Sequence, residues 1–215
     1  DFKNKFSNEE EETIEFEERY IQQTFRTCED ISKVASVFIQ ENKNQLKKSI
    51  RPRELDSKID LLPEVLNICE VEEYNDNFIL KILDKIPIAK PESQKPSIFI
   101  LGRANFDFEK IKPKQLMEKR PDLYIEKGTI HKSKGLESDI VILLGLDGGM
   151  RGFPNSAGED PLVSMFLPVV DDHPNSEERR VMYVAMTRAK DSLFLVHKSL
   201  DPSSFIGDVE AIAKQ

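Results

Sequence analysis

"SEERRVMYVAMTRAKDSLFLV" (residues 176–196) opens like a capped helix and closes like a buried strand. The run VMYVAM is apolar on almost every side, so the helix is expected inside the protein rather than on its surface. SLFLV (192–196) does not alternate, as expected of a strand covered on both faces. Counting by threes and fours from Val181 gives Val184, Ala185 and then Arg188 on the same apolar face. A permanently charged guanidinium at the end of a buried helix needs a partner, either an internal carboxylate or something outside the chain.

Two further apolar runs, SIFIL (97–101) and DIVILLGL (139–146), share the character of SLFLV. Helical patterns lie between and after them, including SSFIGDVEAIAK (203–214). This alternation predicts an α/β fold, an open and mostly parallel sheet with helices on both faces. Upstream, TCEDISKVASVFIQEN (27–42) reads as a helix. Its apolar stripe is Ile31, Val34, Ala35, Phe38 and Ile39, and Thr27 with Asp30 resembles a capping box. ERYIQQTFR (18–26) and VLNICEVE (65–72) read as strands, FILKILDKI (78–86) and FEKIKPKQLMEKR (108–120) as helices, and AKPESQKP (89–96) as a linker.

Composition bounds the function. The chain has 215 residues and a net charge of −8, which argues against a bulk electrostatic nucleic-acid binder but not against a locally basic groove. Two cysteines, Cys28 and Cys69, fit a reducing compartment, and no Cys/His spacing suggests a metal site. No apolar run approaches membrane-spanning length, so a soluble, intracellular protein is expected. Residues 1–20 form an acidic lead-in that begins without Met, as a segment of a longer protein would; residues 21–215 are expected to be one domain.

Four clusters carry unusual chemistry: QTFR (23–26) before a helix start, GRAN (102–105) after SIFIL, GTIHKSKGLE (128–137), and TRAK (187–190). In open α/β sheets ligands gather at the carboxyl ends of strands, so chemistry is expected just after the apolar runs. Each cluster also has an ordinary reading: Arg26 pairing a carboxylate, His131 as a turn residue, Arg103 and Asn105 bonding loop carbonyls, Arg188 in a buried ion pair.

Taken together, TIHKSKGLE, an apolar strand and EERRVMYVAMTRA resemble the last two motifs of UvrD-type superfamily 1 helicases, with QTFR and LGRAN upstream in that family's order. FIQENKNQLKK, GFP, LP…D…P and PSSFI resemble the DNA helicase IV branch. The resemblance implies the second of two RecA-like motor domains (2A), with ATP held between this domain and the first (1A). The phosphate loop GxxxxGK(S/T) does not occur here; GLDGGMRG (145–152) lacks the lysine. The Mg2+ that accompanies ATP is therefore expected on the N-terminal motor domain, and this chain alone is expected to be inactive.

Transferred residue by residue, the resemblance implies that Phe25 stacks on adenine. Arg26 and Arg188 reach the γ-phosphate as catalytic arginines, and Glu137 meets the ribose. Arg103, Asn105, Thr129, His131 and Lys134 face single-stranded DNA, along which the family moves 3′ to 5′. The implied setting is the cytoplasm of a bacterium, at the nucleoid. Only 23 residues, 106–128, separate Asn105 from Thr129, so the accessory 2B domain of many relatives is expected to be absent. Two readings of another class stay open: a non-catalytic single-stranded nucleic-acid-binding module and an inactive helicase-like scaffold. The basic stretches 43–53 and 110–120 fit a DNA path or a solvated face.

Overall fold

A computed structural model describes residues 27–44, 65–88, 95–155, 173–198 and 200–214. Phe25, Arg26, the ERYIQQTFR strand, the acidic start and most of the 43–53 stretch lie outside the described residues. Within them the chain runs α1 (Glu29–Gln40), β1 (Leu66–Val71), α2 (Asp76–Leu83), β2 (Ser97–Gly102) and a 3-10 turn (Asn105–Phe108). It continues with α3 (Pro113–Lys119), β3 (Tyr124–Thr129), a second 3-10 turn (Ile130–Ser133) and β4 (Ser138–Leu144). The last elements are α4 (Ser176–Met186), β5 (Ala189–Lys198) and α5 (Ser204–Ala213).

The five strands form one sheet in the order β1-β5-β4-β2-β3. Every neighbouring pair is parallel. Successive residues of a strand point to opposite faces, and the apolar runs fill both. Phe99, Leu101, Val141, Leu143, Leu193 and Leu195 pack with α1, α4 and α5. Ile98, Ile100, Ile140, Ile142, Phe194 and Val196 pack with α2 and α3. The expected parallel α/β architecture with helices on both faces is therefore what forms.

Three local expectations are corrected. Thr27 does not cap α1: Cys28 is the N-cap and makes no side-chain cap bond. The stretch 108–120 is not one helix. Its first residue closes a 3-10 turn and the α-helix restarts at Pro113, because proline lacks an N–H and is tolerated only in a helix's first turn. Arg188 is not on the face of α4, which ends at Met186; it lies in the turn that leads into β5.

Chain direction across the sheet fixes where a crevice opens. α2 and α3, after β1 and β2, cover one face, whereas the turn after β3 and α4, after β4, cover the other. β2 and β4 are neighbours whose connections leave to opposite faces, the switch-point geometry of open α/β sheets. Between Asn105 and Thr129 the chain makes a turn, α3 and β3, with no accessory domain.

Candidate functional site

The motifs divide between the two ends of the sheet. Glu137 and Arg188 immediately precede β4 and β5, at the strands' amino ends, whereas Arg103 and Asn105 follow β2 at its carboxyl end. The reason is register: Ser138 pairs with Ala189, and the Ser138 N–H donates to the carbonyl oxygen of Arg188 at 3.0 Å. The α1 start joins the same end, where the Cys28 N–H donates to the Lys190 carbonyl at 2.9 Å. In the sequence, QTFR directly precedes this start, with Arg26 two positions before Cys28.

Arg188 is 8% exposed. Its Nε donates to the Val184 carbonyl at 2.9 Å, Nη1 to the Leu136 carbonyl at 3.0 Å and Nη2 to Thr187 Oγ1 at 3.4 Å. The last carbonyls of a helix have no intrahelical donor and carry the negative end of its dipole, so a guanidinium is well placed there. The partner sought at the end of the buried helix thus includes that helix's own terminus. Nη1 also fixes the turn that carries Glu137. That carboxylate, on an exposed residue, pairs with Lys190 at 3.0 Å. Burial pushes the nearby Tyr183 phenol up, and the Arg188 charge opposes that shift.

At the opposite end, Gly102 lies beside Thr129, so GRAN and the start of TIHKSKGLE are neighbours. Arg103 does not point free into solvent. Its Nε and Nη2 meet the two carboxylate oxygens of Glu178, on the first turn of α4, at 3.0 and 2.7 Å. Such a two-pronged pair fixes geometry as well as charge. Asn105, His131 and Lys134 are exposed and Thr129 is half-buried. From Thr129 the chain returns to Ser138 at the far end of β4, about 20 Å away at ~3.3 Å per residue. TIHKSKGLE is thus a strap joining both ends. Ile130 and Ser133 anchor it at 1% and 0% exposure, with Ser133 Oγ donating to the Ile130 carbonyl at 2.6 Å.

Several residues that the sequence did not single out organise these ends. Glu178 holds Arg103; its place in EERR offered only the general preference for acids at a helix start. Asp107, 6% exposed, accepts from the Ala104 N–H at 2.8 Å and fills the β2/β4 crevice. Burial pushes its carboxyl up to about 6. Nothing local in NFDF announces this, because the walls come from Gly102 and Gly145. Arg179 ties α1, α4 and α5 through Glu41, Asp208 and the Phe38 carbonyl, with its guanidinium over the rings of Phe38 and Phe205. In the 110–120 stretch Lys110 pairs with Glu73, and Arg120 bonds Asp122 and the carbonyls of Leu83 and Ile86.

Among the described residues no cluster of His, Cys, Asp and Glu could hold a metal ion. No described helix is long and apolar enough to cross a membrane.

The pattern of the UvrD-like helicase C-terminal domain matches residues 118–199. Over 189 residues the chain is 36% identical to DNA helicase IV of Escherichia coli (strain K12), covering 85% of this chain and 25% of that protein. It is 36% identical over 92 residues to a probable DNA helicase II homolog of Mycoplasma capricolum, covering 38% of this chain and 11% of the relative. It is 38% identical over 69 residues to the ATP-dependent DNA helicase PcrA of Staphylococcus aureus, covering 32% of this chain and 8% of the relative. The chain therefore spans a quarter or less of the length of these relatives. A solved structure of the C-terminal domain of a possible DNA helicase from Lactobacillus plantarum WCFS1 overlaps it with a TM-score of 0.46 at 14% identity, covering 88% of this chain and 96% of that one.

Proposed function

We propose, from the premise that this chain carries a UvrD-like helicase C-terminal domain, that it is the second motor domain of an ATP-dependent 3′–5′ DNA helicase. In this reading Arg26 and Arg188 approach the γ-phosphate of ATP bound to an N-terminal RecA-like domain, which also holds Mg2+. Phe25 lies against the adenine and Glu137 reaches the ribose. One observation carries the reading: backbone bonds from Cys28 to Lys190 and from Ser138 to Arg188 bring the helix start that follows QTFR, the end of TIHKSKGLE and TRAK to one end of the sheet.

The chemistry suits the residues. Phosphoryl transfer to water spreads negative charge over equatorial oxygens, and a guanidinium meets it with several fixed donors. Arginine keeps its charge even when largely desolvated. The carbonyls of Val184 and Leu136 hold the Arg188 guanidinium in place, so little reorganisation is needed when phosphate arrives. At the other end Asn105, Thr129, His131 and Lys134 face single-stranded DNA. Arg103, engaged by Glu178, braces that surface and contacts DNA only if the pair opens. The strap 129–137 couples the ends: a shift of Glu137 or Leu136 on nucleotide binding is transmitted to His131 and Lys134.

The test is ATP turnover of the full-length protein carrying Arg188→Ala and, separately, Arg188→Lys. Both are expected to lose about 10³-fold or more, as arginine fingers do, while single-strand binding persists. Near-normal turnover in a folded Arg188→Ala protein defeats the assignment.

A further inference from the structure

We propose that Phe106 is a base-stacking residue for single-stranded nucleic acid; the inference rests on the strand track proposed above and adds to it a contact that the motif residues do not supply. Phe106 is a large apolar side chain left 54% exposed, while the next two residues, Asp107 and Phe108, are buried to 6% and 7%. Those neighbours lock the turn. The Asp107 carboxylate accepts from the Ala104 N–H at 2.8 Å, and Phe108 packs into the core with Ile111 and Leu116. From β3, Lys127 Nζ donates to the carbonyls of Phe108 at 3.0 Å and Ile111 at 2.6 Å.

The turn stands at the carboxyl end of β2, where Gly102 lies beside Thr129. Exposed residues on this turn are Asn105, Glu109 and Lys110, and on the strap that starts at Thr129 they include His131, Lys132 and Lys134. An exposed ring on the turn that follows β2, at the sheet end where the strap begins, supplies what a single-strand track needs besides charge: cations follow the phosphates and rings take the bases. At 54% exposure the ring gains only part of the burial free energy available to a core phenylalanine. The backbone that carries the ring is fixed by the hydrogen bonds of Asp107 and Lys127, which limits the freedom lost on binding. Because every base has a π-face, the contact is tolerant of sequence.

The experiment compares Phe106→Ala and Phe106→Tyr with the wild type in the full-length protein. Affinity is measured for a thymidine oligomer and for an abasic strand of equal length. Phe106→Ala is expected to weaken thymidine binding about tenfold or more, with its salt dependence unchanged because no phosphate contact is lost. Phe106→Tyr is expected to bind like the wild type, and all three proteins are expected to bind the abasic strand equally. Phe106→Ala within twofold of the wild type on thymidine, or an equal loss on the abasic strand, overturns the inference. Failure of the wild type to bind either strand overturns instead the DNA track on which it rests.

Discussion

The carboxylate of Asp107 occupies the space that a side chain at Gly145 would need: a β-carbon there would lie 2.7 Å from the Asp107 carboxyl carbon. Gly145 also has a φ of +79°, the left-handed region that L side chains avoid. Gly145→Ala is therefore expected to cost at least about 2 kcal/mol, from backbone strain and overlap together. Gly135 is the control, with a φ of +85° but no atom within 4 Å of the place a β-carbon would take. Gly135→Ala is expected to cost only the backbone share, about 1 kcal/mol. Urea unfolding of both variants checks the order; equal losses would show that the crevice tolerates a methyl.

Asp107 gives stability a pH signature. Its carboxyl is pushed from an ordinary 3.8 up to about 6, mainly by burial and further by the nearby Asp147, opposed by the backbone N–H groups of Ala104 and Arg103 and, more weakly, by Lys198. The folded state therefore holds a proton that the unfolded chain has released between those values. The contribution is fully present below about 3.8 and is lost as pH rises through about 6. Relative to Asp107→Asn, the wild type is expected to lose stability between pH 4 and 6, by at most about 3 kcal/mol, and to differ by a constant amount above. Melting temperatures of the two proteins across that window decide it; a constant difference throughout contradicts the shifted carboxyl.

Arg179 joins three helices in one side chain, with its charge shared between Glu41 and Asp208. Arg179→Ala removes both ion pairs and the contacts with Phe38 and Phe205, and is expected to cost about 3 kcal/mol. Arg179→Met keeps most of the volume and is expected to cost less, because both carboxylates reach water. Equilibrium unfolding reads the difference. If the two variants are equally unstable, charge rather than packing dominates at this junction.

His131 and Lys134 lie on the exposed side of the strap, away from the buried Ile130 and Ser133. The double variant His131→Ala/Lys134→Ala is expected to leave DNA-independent ATP turnover intact. It should weaken single-strand binding and reduce the salt slope by about one unit for the lost lysine. Affinity titrations at several salt concentrations test this. An unchanged slope would move the phosphate contacts elsewhere.

Much of this was legible in the chain. SIFIL, DIVILLGL and SLFLV announced strands covered on both faces, because non-alternating apolar runs leave no face for water. The motif pairs announced the family, because residue types and short spacings are local properties. What the sequence could not fix was which ends of the strands meet. Arg188 and Glu137 share one end only because Ser138 pairs with Ala189. Arg103 meets Glu178 only because α4 starts over the end of β2. Asp107 is buried only because Gly102 and Gly145 stand on either side of it. Strand order and register are long-range choices made by the packing of two whole faces, and no window of neighbouring residues contains them.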